Sequence, residues 1–347
     1  MVGDEPDSVH QKWCKLYCRT TLSLQESRRR TTGMAPSRSR YAAYLRLLID
    51  GMDAQRKVID QVVVALDAAQ QDSKRFDHAM LTGPPGLGKS ALAYVIAQEM
   101  ATGFCEILGQ SLNSLADLNA VLLSAKHRDV VFIDECHEIR REFQTTLYRV
   151  LDTQCVSVKT NGPPQPIPVA NFTLLLATTD EFCLLQPLRD RMRLVLRLDF
   201  LSTPELIVVV QQRCRALGWD VDESVLPEIA SRSRGTPRLA LRLLQSCHRV
   251  CRSLGELKIT ADHLQKACGL EQIDDLGLGP NEQQYLGILA EGPSRLNVVA
   301  SRLALPTRTV SVVIEQFLIR AGLVTKDHQG IRQLTAKGRE HLLKSRP

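Results

Sequence analysis

The sequence predicts an α/β domain built on a parallel sheet with helices on both faces, then a small all-helical domain and a C-terminal winged helix. Three observations carry this. Between about Tyr44 and Phe200, short unbroken apolar runs alternate with helical periodicity, as strands buried on both faces require. From Pro204 to about Leu270 the periodicity is helical throughout. Beyond residue 280, three short helical stretches precede a hairpin whose polar turn is Asp327-His328-Gln329-Gly330. With 347 residues the chain is long enough for two or three cores. The boundaries read as a tail over 1–43, the α/β domain over 44–200, the helical domain over 201–273, a linker over 274–280 and the winged helix over 281–347.

Taken in order, residues 1–43 carry little periodicity and include Arg28-Arg29-Arg30 among serines and threonines. They read as a disordered basic tail, as sequence upstream of a start at Met34, or as a nucleic-acid-binding arm. Val58–Ala69 has helical spacing. Ala79–Thr82 is a short strand running into a Gly/Pro-rich turn, followed by a helix over Ser90–Met100 and another over Leu115–Ser124. Val130–Ile133, Phe172–Ala177 and Leu194–Phe200 are further strands. Asp274–Pro280, with two acids and two glycines, is the linker. In the last domain, Pro306 suits the first turn of a recognition-type helix over Thr307–Arg320. Leu323-Val324-Thr325 and Ile331–Leu334 form the wing.

Composition narrows the possible functions. Apolar residues make up 44% and charged residues 24%, the profile of a soluble globular protein. No apolar run is long enough to span a membrane and the N-terminus lacks a secretory apolar core. The ten cysteines form no CxxC pair, so reduced thiols are expected rather than disulfides or a zinc site; Cys247, His248 and Cys251 lack a second ligand pair. The net charge of +6 is unevenly placed: residues 281–347 carry ten Lys/Arg against five acids. A nucleic-acid-facing module shows such an excess, as does any solvated basic face.

Gly83-Pro84-Pro85-Gly86-Leu87-Gly88-Lys89-Ser90 fits the phosphate-loop pattern. Its glycines let backbone N–H groups turn inward around an anion, and the helix that follows adds its positive end. Lys89 is expected on the terminal phosphates of ATP and Ser90 on Mg²⁺. Val130–Ile133 ends in Asp134-Glu135. Two carboxylates closing a buried strand are costly unless something neutralises them. Asp134 would serve Mg²⁺, and Glu135 would activate the attacking water. Thr178 and Thr179 end the next strand, where parallel-sheet proteins place active-site groups. Arg189 and Arg191 follow, and their spacing fits a trans-acting arginine and a surface ion pair equally well.

At this point the chain resembles the RuvB family of Holliday-junction branch-migration AAA+ ATPases, or a divergent paralogue of it, from about Asp53 to Leu343. The resemblance rests on Phe76-Asp77-His78 before the phosphate loop, Val131–His137, Ala177-Thr178-Thr179, Pro187–Arg191 and Arg234-Gly235-Thr236-Pro237-Arg238. It implies an AAA+ large domain, a helical lid and a winged helix. It assigns sensor 1 to Thr179, the trans-acting finger to Arg191 and the sensor-2 contact to Arg238. It also implies a hexameric ring that pumps duplex or four-way DNA with the partner RuvA. The chain departs from the family at Leu45-Arg46-Leu47 and Ala54-Gln55, which touches the adenine contacts. It departs at Asp180, where arginine is usual, and in the short, proline-rich Thr153–Asn171 hairpin that corresponds to the RuvA-docking element.

Arg332, three residues before Thr335, matches the family's DNA-contacting wing arginine. Arg302, Arg308 and Lys326 are expected as supporting phosphate contacts, independent of base sequence. Two other function classes fit the composition: a protein-remodelling or clamp-loader-like ATPase whose winged helix binds protein, and a nucleotide switch with little turnover. Glu135, Arg191 and Arg238 together argue against the switch. DNA stimulation of hydrolysis separates the remaining two.

Overall fold

The computed structural model describes residues 53–158 and 165–344. The tail over 1–43, the Met34 start and Leu45-Arg46-Leu47 lie outside these residues. The chain divides into two compact units between Glu205 and Leu206.

The first unit alternates as the sequence predicts: α1 (Asp53–Gln71), β1 (Ala79–Thr82), α2 (Lys89–Glu99), β2 (Phe104–Leu108), α3 (Leu115–Ser124), β3 (Val130–Asp134), α4 (Arg141–Thr153), β4 (Cys155–Val158), β5 (Gln165–Pro168), β6 (Thr173–Thr178), α5 (Gln186–Arg189) and β7 (Leu194–Arg197). Five strands form one parallel sheet in the order β2-β3-β6-β1-β7. Strand pleating sends successive side chains to opposite faces, and that alternation divides the interior in two. Ala79, Leu81, Val130, Phe132, Leu175 and Ala177 pack with α1 and α2. Met80, Val131, Ile133, Leu174 and Leu176 pack with α3 and α4. Both faces are covered, which is why these strands read as unbroken apolar runs.

Strand β2 is absent from the sequence reading. It lies at the sheet edge, half exposed, and Glu106 interrupts its apolar run. Strand β7 ends at Arg197 rather than Phe200. Strands β4 and β5 pair antiparallel, with Ser157 opposite Pro166 and Cys155 opposite Pro168. Prolines cannot donate to a ladder and are tolerated on such a two-stranded edge. The tip over 159–164 lies outside the described residues.

The second unit begins within α6 (Thr203–Leu217) and continues through β8 (Asp220–Val221), α7 (Val225–Ser231), α8 (Pro237–Ser253), β9 (Lys258–Ile259) and α9 (Ala261–Glu271). The expected all-helical stretch thus includes one short parallel pair, β8 with β9. The winged helix follows as α10 (Pro280–Ala290), β10 (Ser294–Arg295), α11 (Leu296–Arg302), α12 (Thr307–Thr309), a π-helical turn (Val310–Glu315), α13 (Gln316–Arg320), β11 (Val324–Lys326), β12 (Ile331–Leu334) and α14 (Ala336–Lys344). Its core gathers Tyr285, Leu286, Val299, Val310, Leu318 and Leu334. The 274–280 linker is a pinned turn. Asp274 accepts hydrogen bonds from the Leu276 and Leu278 N–H groups at 3.0 and 2.8 Å, and its other oxygen lies 2.8 Å from His341 Nε2. Among the described residues no helix is long and apolar enough to cross a membrane.

Candidate nucleotide site

The phosphate loop joins β1 to α2 at the carboxyl edge of the sheet. Gly83, Gly86 and Gly88 all have positive φ (138°, 82° and 94°), the conformation that turns backbone N–H groups to one side. Gly83 has a second constraint: a Cβ there would lie 2.2 Å from the Leu198 carbonyl oxygen. That carbonyl is held close because Leu198 N–H donates to Thr82 O at 2.8 Å. Lys89 is buried and its Nζ donates to the Gly83 and Pro84 carbonyls at 2.8 and 3.0 Å, so the ammonium sits over the loop. Pro84, Pro85 and Leu87 complete the turn.

Strand β3 reaches the same edge two places away, with β6 between it and β1. Ser90 Oγ donates to Asp134 Oδ2 at 2.7 Å, and the other Asp134 oxygen accepts the Glu135 N–H at 2.8 Å. A hydroxyl and a carboxylate meeting at the mouth of an anion-binding loop are a hard, all-oxygen donor pair, and these residues fit Mg²⁺. Glu135 is in the left-handed region (φ 51°, ψ 42°), which swings its side chain away from the line of the strand. Its carboxylate lies 3.4 Å from His137 Nδ1, and that nitrogen is 3.2 Å from Thr178 Oγ1. Cys136, beside them, is fully buried; burial and the neighbouring Asp134 push its thiol far above the ordinary range.

Thr179 is exposed just past β6, while Thr178 is buried and folds back on Asp180 through its hydroxyl. Asp180, placed where the family usually has arginine, caps the next turn, accepting from Phe182 N–H at 3.1 Å and from Cys183 Sγ at 3.0 Å. The hydrogen bond from Cys183 is the first cause that keeps its carboxyl below the usual range. Arg191 is engaged within its own chain. Its Nε donates to Asp152 Oδ1 at 2.7 Å, Nη2 also binds Asp152, Nη1 reaches Pro187 O, and the guanidinium lies 5.1 Å from the Tyr148 ring centre. Arg238 lies in the second unit, exposed in the first turn of α8.

The structure therefore brings Lys89, Ser90, Asp134 and Glu135 together, with Thr179 at the end of the intervening strand. Two positions escaped the sequence reading. Gly109 packs so closely that a Cβ would lie 2.6 Å from the Glu135 carbonyl oxygen, and Asp152 holds Arg191. Neither has a local signal, since both act on residues distant in sequence.

The expected DNA contacts are revised. Arg332 is buried, with Nε 2.5 Å and Nη2 3.1 Å from the Glu315 carboxylate, and Tyr285 Oη lies 3.3 Å from the same group. Its guanidinium neutralises a buried acid inside the winged helix and is not presented to a phosphate. Arg302 is exposed but forks onto Glu291 at 2.7 and 2.8 Å. Arg308 and Lys326 are exposed, on α12 and in the wing. Cys247 and Cys251 are buried and His248 stacks on Trp219 at 3.8 Å; among the described residues no acid, cysteine and histidine cluster could hold a metal.

Three family models match end to end. Residues 46–198 match the P-loop domain of the Holliday junction DNA helicase RuvB, 202–274 the RuvB AAA lid, and 275–343 the RuvB C-terminal winged helix. The Holliday junction branch migration complex subunit RuvB of Koribacter versatilis is 35% identical over 284 residues, covering 80% of this chain and 79% of the relative. The chain belongs to the RuvB family. The RuvB of Anaplasma marginale is 34% identical over 322 residues, covering 90% of this chain and 96% of its own. Among solved structures, the Thermotoga maritima RuvB Holliday junction branch migration motor superposes with a TM-score of 0.74 at 32% identity, over 87% of this chain and all of that one. RuvB membership makes this a nucleotide-binding P-loop protein of the AAA+ type, with the parallel sheet, lid and winged helix in the predicted order.

Proposed function

We propose that the chain is an ATP-driven DNA motor that promotes Holliday-junction branch migration in recombination and repair. It is proposed to work in the cytoplasm as a hexameric ring and to hydrolyse ATP where subunits meet. The observation that carries this is the Ser90–Asp134 pair at 2.7 Å beside Lys89 and Glu135, set in a chain with all three RuvB domains.

In this reading the phosphate loop and Lys89 hold the β- and γ-phosphates. Ser90 and Asp134 hold Mg²⁺, which would supply charge neutralisation at the phosphates. Glu135 orients the attacking water and accepts its proton, with His137 fixing the carboxylate. Thr179 faces the γ-phosphate. Arg191 leaves Asp152 to reach a neighbour's nucleotide, a contribution of roughly 10³–10⁵-fold where such fingers act. Arg238 senses the γ-phosphate from the lid. Arg308 and Lys326 contact DNA phosphates. RuvA is the proposed partner, docking on the β4–β5 hairpin.

The test is ATP hydrolysis with and without four-way junction DNA, each with and without RuvA. DNA should stimulate turnover, and Glu135→Gln should keep ATP binding while turnover falls about 10²–10⁴-fold. Normal hydrolysis in that variant removes Glu135 from its role. One observation favours a second reading, protein remodelling: the exposed face of the recognition helix carries Val312 and Val313, and two of the four cations expected on the winged helix are bound to intrachain acids. Indifference to DNA would support it.

A further inference from the structure

The turn that leads into α8, on whose first turn Arg238 lies, is anchored by a second arginine. Arg234, four residues upstream, is in the left-handed region (φ 53°), followed by Gly235 at φ 77°. That conformation turns its side chain away from the lid core and onto the winged helix. There Nε donates to Gly277 O at 2.6 Å and Nη1 donates to Glu282 Oε1 at 2.7 Å, with both side chains largely shielded from solvent. The guanidinium lies 4.9 Å from the centre of the Phe317 ring, which Arg320 also covers at 5.3 Å. Arg320 closes the cluster by donating from Nη2 to the Arg234 carbonyl at 2.6 Å.

The same strip of lid is fixed at two neighbouring points. Arg232 pairs with Asp275 at 2.7 Å. Gly277 passes so close to the Arg232 carbonyl that a Cβ would lie 1.9 Å from it. A forked guanidinium that is stacked on an aromatic and paired with a shielded carboxylate is a geometrically specific tie, unlike a flexible surface pair.

We propose that Arg234 is a positioning residue that makes the start of α8 and the recognition helix a single rigid part, so that displacement of Arg238 on loss of the γ-phosphate becomes displacement of the DNA-facing helix. This rests on the motor reading above. The Arg234 guanidinium is spent on Gly277, Glu282 and Phe317. It acts through Glu282, Phe317 and Arg320, which belong to the winged helix, so it governs how much DNA movement each hydrolysis event yields and leaves hydrolysis itself unaffected.

The experiment measures base pairs of junction migration per ATP hydrolysed in the full chain, for wild type, Glu282→Gln and Arg234→Lys. Gln removes the charge of the pair and keeps its shape; Lys keeps the charge and loses the fork. Both variants should stay folded at the assay temperature, bind junction DNA as wild type does and hydrolyse ATP within about twofold, while migration per ATP falls about tenfold. An unchanged ratio in both variants overturns the proposal. Equal losses of hydrolysis and migration, leaving the ratio intact, also overturn it, since the residue would then serve the nucleotide site. If wild-type protein hydrolyses ATP but migrates no junction, the motor reading fails, and the proposal falls with it.

Discussion

Gly109 shows how much of the site is set by single atoms. A methyl at this position would lie 2.6 Å from the Glu135 carbonyl oxygen, and Glu135 itself is already in a left-handed conformation. Gly109→Ala should push Glu135 out of place and lower turnover by up to about 10²-fold, the cost of a misplacement near 1 Å. ATP affinity should hold. Steady-state kinetics beside nucleotide binding checks this; an equal loss of both would place the damage in the phosphate loop. Arg332 teaches the opposite lesson. Its sequence position matched a DNA contact, but the side chain is consumed by buried Glu315. Arg332→Ala should destabilise the winged helix by about 3–5 kcal/mol by leaving that acid unpaired. Hydrogen exchange over 280–344 would reveal the loss, and an unchanged profile would refute the structural role. Spacing alone cannot distinguish a basic residue facing solvent from one facing a buried acid on another element.

At the scale of elements, legibility followed burial. The strands buried on both faces, β1, β3 and β6, are apolar runs bounded by turn residues and were visible in the sequence; edge strand β2, broken by Glu106, was not. The phosphate loop and the Asp134-Glu135 pair were legible because their spacing is local. The Asp152–Arg191 contact, which joins α4 to the segment after α5, was not. One element-level joint is sensitive to pH. His78, just before β1, accepts the Leu174 N–H of β6 on Nδ1 at 2.9 Å. Burial first, then Arg75 and Arg193, pushes its pKa down to about 3. The unfolded chain takes up this proton near pH 6.5 and the folded chain does not. The neutral ring therefore contributes full stability above about 6.5 and loses it as pH falls towards 3. In urea melts across that window, His78→Gln should flatten the pH slope by about one proton, near 1.4 kcal/mol per pH unit. An unaltered slope would mean that the imidazole is protonated in the fold.

For the whole molecule, Arg191 bears on cooperation between copies. Arg191 is held by Asp152 and Tyr148 of its own chain, so a trans-acting role requires that contact to be exchanged on assembly. Arg191→Ala mixed into wild-type protein should depress ATP turnover more steeply than its mole fraction, because in the proposed ring each altered subunit would silence a neighbour. A strictly proportional decline would confine the residue to its own subunit. The two-sided sheet has a last consequence. Each strand residue is committed by odd or even position to one of two interiors, so Asp134 keeps its place opposite Ser90 only while the count along β3 is preserved. Adding or deleting one residue within β3 would exchange the two interiors and rotate the acid pair off the loop together. A change of length can thus be absorbed only in the connections between strands, where the chemistry stays in phase with the sheet.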